Sequence, residues 1–225
     1  MLIATVWLFL FVDTQNTLTM KSRRLYYISR ITNLLIETNN PKMKVDEIAT
    51  RLGITKKTIY NYFDSKQQLF ECVLDSYLKS KIEETKENLN HYSNPISSLI
   101  YIGHSIGPVF RDCTPLYEQK IGVVKTNPML NIFFQRRQDL VDIVKRIFIK
   151  GIREELFESD IDIEIACQVY LSGIETLYRP NGLLCSKKIS SHQISQVLYY
   201  MLKGNCTRIG LSVLREKVDI KVIVD

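Results

Sequence analysis

Glycine and proline are scarce in this 225-residue chain, at nine and six residues. Little of the usual turn punctuation is therefore available. Histidine is scarcer still: His91, His104 and His192 are the only three. None has a metal-ligand partner at helical spacing, which argues against a metal site. The five cysteines, Cys72, Cys113, Cys167, Cys185 and Cys206, are odd in number, far apart and form no CxxC pair. They read as reduced, buried thiols of a cytoplasmic protein. A Gly-rich phosphate loop, a nucleophile elbow and a His-Glu metal motif are all missing, so the chain reads as a non-enzyme without a cofactor. Long apolar runs are missing too, apart from the opening MLIATVWLFLFV. That run is too short to span a bilayer and has no Lys or Arg before it. The expectation is that translation starts at Met20 and that residues 1–19 are not native. The alternative is a short greasy arm, packed on a partner or disordered.

What the chain has is apolar content of 45%, enough for a substantial core, mostly recurring at helical rather than alternating spacing. The expected class is all-α. Its formal charge of +6 is unevenly placed: Lys21 to Lys66 holds ten Lys or Arg against four acids, a surplus of six, so the remainder is neutral. A basic amino-terminal third on a neutral body is the electrostatic footprint of a DNA-binding module joined to a domain with another task.

Within the basic third, Val45, Ile48, Ala49 and Leu52 recur at i, i+3, i+4 and i+7, giving a helix with one buried face. Gly53 stops it in a tight turn, and Thr55 is a natural N-cap for a second helix. On that helix Ile59 and Phe63 face inward, while Lys57, Thr58, Asn61 and Tyr62 face the other way and Lys56 and Tyr60 lie on the flanks. Helix, Gly-containing turn and a second helix with an exposed polar face is the helix-turn-helix pattern.

Around this motif, Lys21 to Thr38 reads as a first helix ended by Asn39-Asn40-Pro41, and Asp64-Ser65 caps a helix from about Lys66 toward Asn90. Ile96 to Phe110 reads as a helix interrupted at Gly103, Gly107 and Pro108. A short helix over Leu116 to Lys125, a long amphipathic one over Met129 to Phe157, two more over Ile163 to Leu177 and Ser191 to Leu202, and a last one over Leu211 to Val218 complete the pattern. The expected division is a leader, 1–19, a DNA-binding head, 20–66, and a helical dimerisation and effector-binding body, 67–225.

Val45-Asp46-Glu47-Ile48-Ala49, Leu52-Gly53-Ile54-Thr55, Thr58-Ile59-Tyr60-Asn61-Tyr62-Phe63, Ser65-Lys66 and Leu69-Phe70, after a basic first helix, resemble the TetR family of transcriptional regulators. The resemblance covers roughly residues 24 to 72. It implies a homodimer whose heads occupy successive major grooves of double-stranded DNA at a palindromic operator. The body would dimerise through helices at about 162 to 179 and 190 to 203 and would hold a small-molecule inducer whose binding releases the operator. The expected function is that of a repressor; a sequence-tolerant DNA-organising protein without an inducer is the alternative.

Asn61 is the first candidate for base readout, because a carboxamide bonds an adenine edge bidentately. Lys57 is the second, as a guanine or phosphate donor, although the family commonly has a small residue there. Lys56, Thr58, Tyr60 and Tyr62 are placed for phosphate, and Lys66 matches the family's phosphate-binding lysine. The competing readings are that Tyr60 and Tyr62 pack on neighbouring helices and that Lys56 and Lys57 form a solvated face. Arg23 and Arg24 stand between a DNA-contacting arm and ordinary surface charge. Lys44 replaces the hydroxyl cap common in the family. Tyr101, His104, Phe110, Tyr117, Phe133, Phe134, Tyr170 and Glu175 are candidates to line the inducer pocket, each with ordinary core as its alternative.

Overall fold

The computed structural model describes residues 20–38, 40, 43–117, 128–178 and 190–218, with backbone alone at 114–117. Every regular element among them is helical apart from one antiparallel bridge pair. The chain forms two compact units, Met1–Ser76 and Tyr77–Asp225.

In the first unit α1 (Met20–Glu37) turns Ile28, Ile31, Thr32 and Leu35 inward. Helix α2 (Val45–Leu52) buries Val45, Ile48 and Ala49. It packs on α1 and on the short α3 (Lys56–Tyr60). Gly53 ends α2 at φ 67°, with its N–H on the Thr50 carbonyl (3.1 Å) and the Ile54 N–H on the Ala49 carbonyl (3.0 Å). This is the paired Schellman closure, and it needs the left-handed residue that glycine supplies. Lys44, at the N-cap of α2, makes no side-chain cap bond. Helix α4 (Lys66–Leu89) begins where Ser65 Oγ accepts the Gln68 N–H (3.1 Å). The Gln68 amide returns to Asp64, accepting from its N–H at 2.7 Å and donating to its carboxylate at 2.8 Å.

The second unit is organised on α5 (Pro95–Tyr117), which touches α6 (Pro128–Arg153), α7 (Ile163–Tyr178), α8 (Ser191–Leu202) and α9 (Arg208–Lys217). The expected interruption of α5 does not occur: the helix runs through Gly103, Gly107 and Pro108. The glycines serve its packing. A Cβ on Gly103 would lie 2.5 Å from Leu198 Cδ2, and one on Gly107 would lie 1.9 Å from Tyr178 Cε2. Gly107 also lacks the Cβ that the Pro108 ring would press against. Of the short helix expected over Leu116 to Lys125, residues 118–125 lie outside the described residues.

Helix α6 stops at Arg153 instead of continuing to Phe157. Glu155 takes φ 57°, and the Leu156 N–H closes on the Gly151 carbonyl (2.9 Å). Phe157 is thereby turned inward against Phe148, with ring centroids 4.9 Å apart, in space left by Gly151. The turned segment pairs Phe157 with Cys206, and the Thr207 N–H bonds the Leu156 carbonyl at 3.1 Å.

Candidate DNA interface and ligand recess

An α-helix as short as α3 has no stability of its own, because nucleation costs more than so few hydrogen bonds return. Local caps and apolar anchors fix it instead. Thr55 Oγ1 accepts the Thr58 N–H at 3.0 Å, and the Thr55 and Thr58 hydroxyls meet at 2.9 Å. Ile59 and Phe63 beneath the helix are each 1% exposed. Phe63 and Tyr62 lie past the last helical residue, so the sequence-based helix was too long while its inward face was placed correctly.

On this frame Lys57 and Asn61 are exposed, and Asn61 forms the C-cap of α3 with its N–H on the Lys57 carbonyl (2.9 Å). Lys56 is exposed and reaches back to Asp46 on α2, at 2.9 Å in the ion pair. The hydrogen bond to Asp46 raises its pKa above the ordinary 10.5. Tyr60 is exposed, Thr58 and Tyr62 are half-buried, and the Tyr62 ring leans on Tyr27 of α1 with centroids 5.0 Å apart. Lys66 opens α4 with its Nζ 5.5 Å from the Phe70 ring centre. The pattern so formed is one cation and one carboxamide turned outward, with hydroxyls and further cations around them. Such a surface offers base-edge donors beside phosphate donors.

The eight residues named for a ligand pocket are spread more widely. Phe110 and Phe133 meet edge to face at 5.7 Å and line one open recess with a cavity volume of about 10 Å³, room for a single water. Apolar walls from Leu78, Ile82, Ile106 and Leu140 surround it, together with Lys81, Arg136 and Arg137. Glu175 is ion-paired to Arg137, both being nearly buried. Arg137 also donates to Gln168 Oε1 (2.8 Å) and Ser172 Oγ (3.2 Å). Phe134 touches Phe133 but is 57% exposed. Tyr101 stacks on Tyr92 at 4.7 Å, His104 Nε2 meets Ser195 Oγ at 3.1 Å, and the fully buried Tyr170 donates its hydroxyl proton to the Leu99 carbonyl. The Tyr117 side chain lies outside the described residues.

Sequence reasoning passed over Arg136, Arg137 and Lys81, since long cations on amphipathic helices ordinarily face water. A usable signal was nevertheless present. Gln168, Ser172 and Glu175 recur at i, i+4 and i+7 along the largely apolar α7, a polar stripe that calls for a partner.

Comparison with known proteins agrees with this geometry. Residues 29–73 match the description "Bacterial regulatory proteins, tetR family". The HTH-type transcriptional repressor KstR2 of Rhodococcus jostii (strain RHA1) is 20% identical over 183 residues, covering 78% of this chain and 89% of that protein. Among solved structures, a putative transcriptional regulator from Saccharomonospora viridis in complex with choline has a TM-score of 0.68 at 16% identity, covering 83% of this chain and 98% of that one. The transcriptional regulator FadR from Bacillus subtilis, in complex with stearoyl-CoA, has a TM-score of 0.61 at 17% identity, covering 80% and 98%. At these identities the solved structures establish a shared fold, and the head carries the more specific match. Residues 29–73 thus carry the amino-terminal domain of the TetR family of bacterial regulatory proteins, and the chain shares the fold of regulators of that family.

Proposed function

We propose that this regulator is a homodimeric repressor that binds a palindromic operator and is released from it by a small apolar ligand. The observation that carries the reading is the recognition segment, with Ile59 and Phe63 held beneath it while Lys57 and Asn61 stand free above. In this reading Lys56, Thr58, Tyr60, Tyr62 and Lys66 supply the phosphate contacts that set register. Ile165 and Val169 on α7 and Tyr200 on α8 are 61%, 54% and 63% exposed, an amount of uncovered apolar surface that suits a partner subunit.

The ligand site is the recess between α4, α5 and α6. Its apolar walls suit an apolar body, and at its edge Lys81, Arg136 and Arg137 are ion-paired to Glu84, Asp139 and Glu175, so an acidic end would bind by exchanging for one of those carboxylates. Occupancy requires the walls to part. Helix α4 supplies three of the wall residues, Leu78, Lys81 and Ile82. FadR with stearoyl-CoA supports a ligand of this class. The inducer-free DNA-organising alternative has no observation in its favour.

Selection from a random duplex pool with the purified full chain should enrich an inverted repeat; sequence-independent recovery would overturn the operator reading. Straight-chain fatty acids of graded length, titrated into the complex with the enriched duplex, should release it. No release by any of them would remove the acidic-amphiphile assignment and leave DNA binding standing.

A further inference from the structure

Arg24 occupies a core position of α1. It heads the stripe Arg24, Ile28, Ile31 and Leu35, at i, i+4, i+7 and i+11, of which the last three are buried. Helical phase therefore turns its guanidinium inward. Cζ stands 5.5 Å from the centre of the Phe63 ring, and Nη2 donates to Cys72 Sγ of α4 at 3.2 Å. Nε is buried without a hydrogen-bond partner. The thiol it meets stays neutral, since burial pushes the Cys72 pKa up against the pull of the guanidinium. One turn of α1 further on, Tyr27 leans on Tyr62. The residues that close the recognition segment, Tyr62 and Phe63, are thus gripped side by side from α1.

A guanidinium left half-buried, with one nitrogen unsatisfied, is a costly way to fill a core position. Methionine or leucine would pack there without an orphan donor. What arginine adds is attachment to two elements at once, an aromatic face behind α3 and a sulfur on α4. Since α3 has only five helical residues, the direction of its outward side chains depends on where Phe63 is held.

We infer that Arg24 is a positioning residue for DNA recognition: it makes no DNA contact and sets the pose of Lys57 and Asn61 through Phe63. This rests on the operator reading above, and the test separates the two. The full-length chain first selects its duplex from a random pool, and a scrambled duplex of the same length serves as reference. Arg24→Met should weaken binding to the selected duplex by about 3- to 30-fold, the range of a partly desolvated cation–π contact. Affinity for the scrambled duplex and the slope of log Kd against log salt should both stay as in the wild type. Arg24→Lys, which keeps a cation over Phe63, should recover most of the loss. Lys66→Ala should behave differently, lowering the salt slope by about one because a phosphate contact is gone. Phe63→Leu provides a second route, with the same selective loss and unchanged slope expected, should Arg24→Met not fold. A slope that drops in Arg24→Met assigns Arg24 to phosphate and overturns the inference. Unchanged affinity for the selected duplex, in Arg24→Met or in Phe63→Leu, overturns it equally. Failure of the wild type to enrich any sequence would instead strike the operator reading itself.

Discussion

Asn61 shows how one side chain is assigned a task by its neighbours. Its backbone N–H is spent on the Lys57 carbonyl, which leaves an exposed carboxamide immediately past the end of α3. Asn61→Ala is expected to cost about 1–3 kcal/mol of discrimination between the selected duplex and single-base variants at one position. Competition binding across those variants checks it, and a uniform loss over all of them would reassign Asn61 to the backbone. Gly53 makes a different kind of contribution. A Cβ there meets nothing within 4 Å, so the cost of substitution is confined to φ 67°. Gly53→Ala should lower stability by about 1–2 kcal/mol in urea unfolding, with Gly53→Asn losing less because Asn tolerates the left-handed region. These residues were legible in the sequence because a turn glycine, an N-cap threonine and an inward apolar pair act over three or four positions.

At the scale of elements, what matters is how the helices are tied to each other. Helix α9 is seated on the turn after α6: Thr207 accepts the Gly210 N–H at 3.0 Å and gives its own hydroxyl proton to the Glu155 carbonyl at 2.6 Å. A Cβ at Gly210 would fall 1.8 Å from the Leu156 carbonyl oxygen, against backbone that has no rotamer to yield. Gly210→Ala should therefore unseat α9, costing about 1–3 kcal/mol in urea denaturation. A loss below a few tenths would mean that α9 is only loosely docked. Helices α5 and α8 are linked by His104 and Ser195. Burial lowers the His104 pKa below 6.5 in the folded chain, so the unfolded chain takes up the proton first as pH falls. The stability this site contributes is complete above about pH 6.5 and declines below it. Urea midpoints at about pH 7.5 and 5.5 should therefore diverge more for the wild type than for His104→Gln. Equal divergence would exclude His104 as a source of the pH dependence. The continuity of α5 and the early end of α6 escaped the sequence. Glycine and proline have the same identity whether they break a helix or admit Tyr178 and Leu198, and Glu155 carries no mark of a left-handed conformation.

For the molecule as a whole, the proposed operator binding makes assembly the property to test. Val169 lies four residues beyond Ile165 on α7, both exposed, and Tyr200 is exposed on α8. Val169→Arg should abolish the dimer in sedimentation measurements by placing a charge within the apolar contact, leaving binding to an isolated half-site weak and that to the palindrome no longer tighter. A dimer that survives this substitution would move the interface to another face. By itself the sequence determined the all-helical class, the limits of most helices and the concentration of positive charge in one third of the chain. Helical periodicity, capping and net charge are local or additive, so they can be read without coordinates. Tertiary structure alone decided that Arg24 faces a ring and a thiol rather than solvent. It also decided that Arg137 pairs with Glu175 thirty-eight residues away and that Phe110 and Phe133 share a recess while Phe134 turns outward. Each of these depends on which distant segments pack together, and the free energy of that packing belongs to pairs of elements that no local pattern encodes.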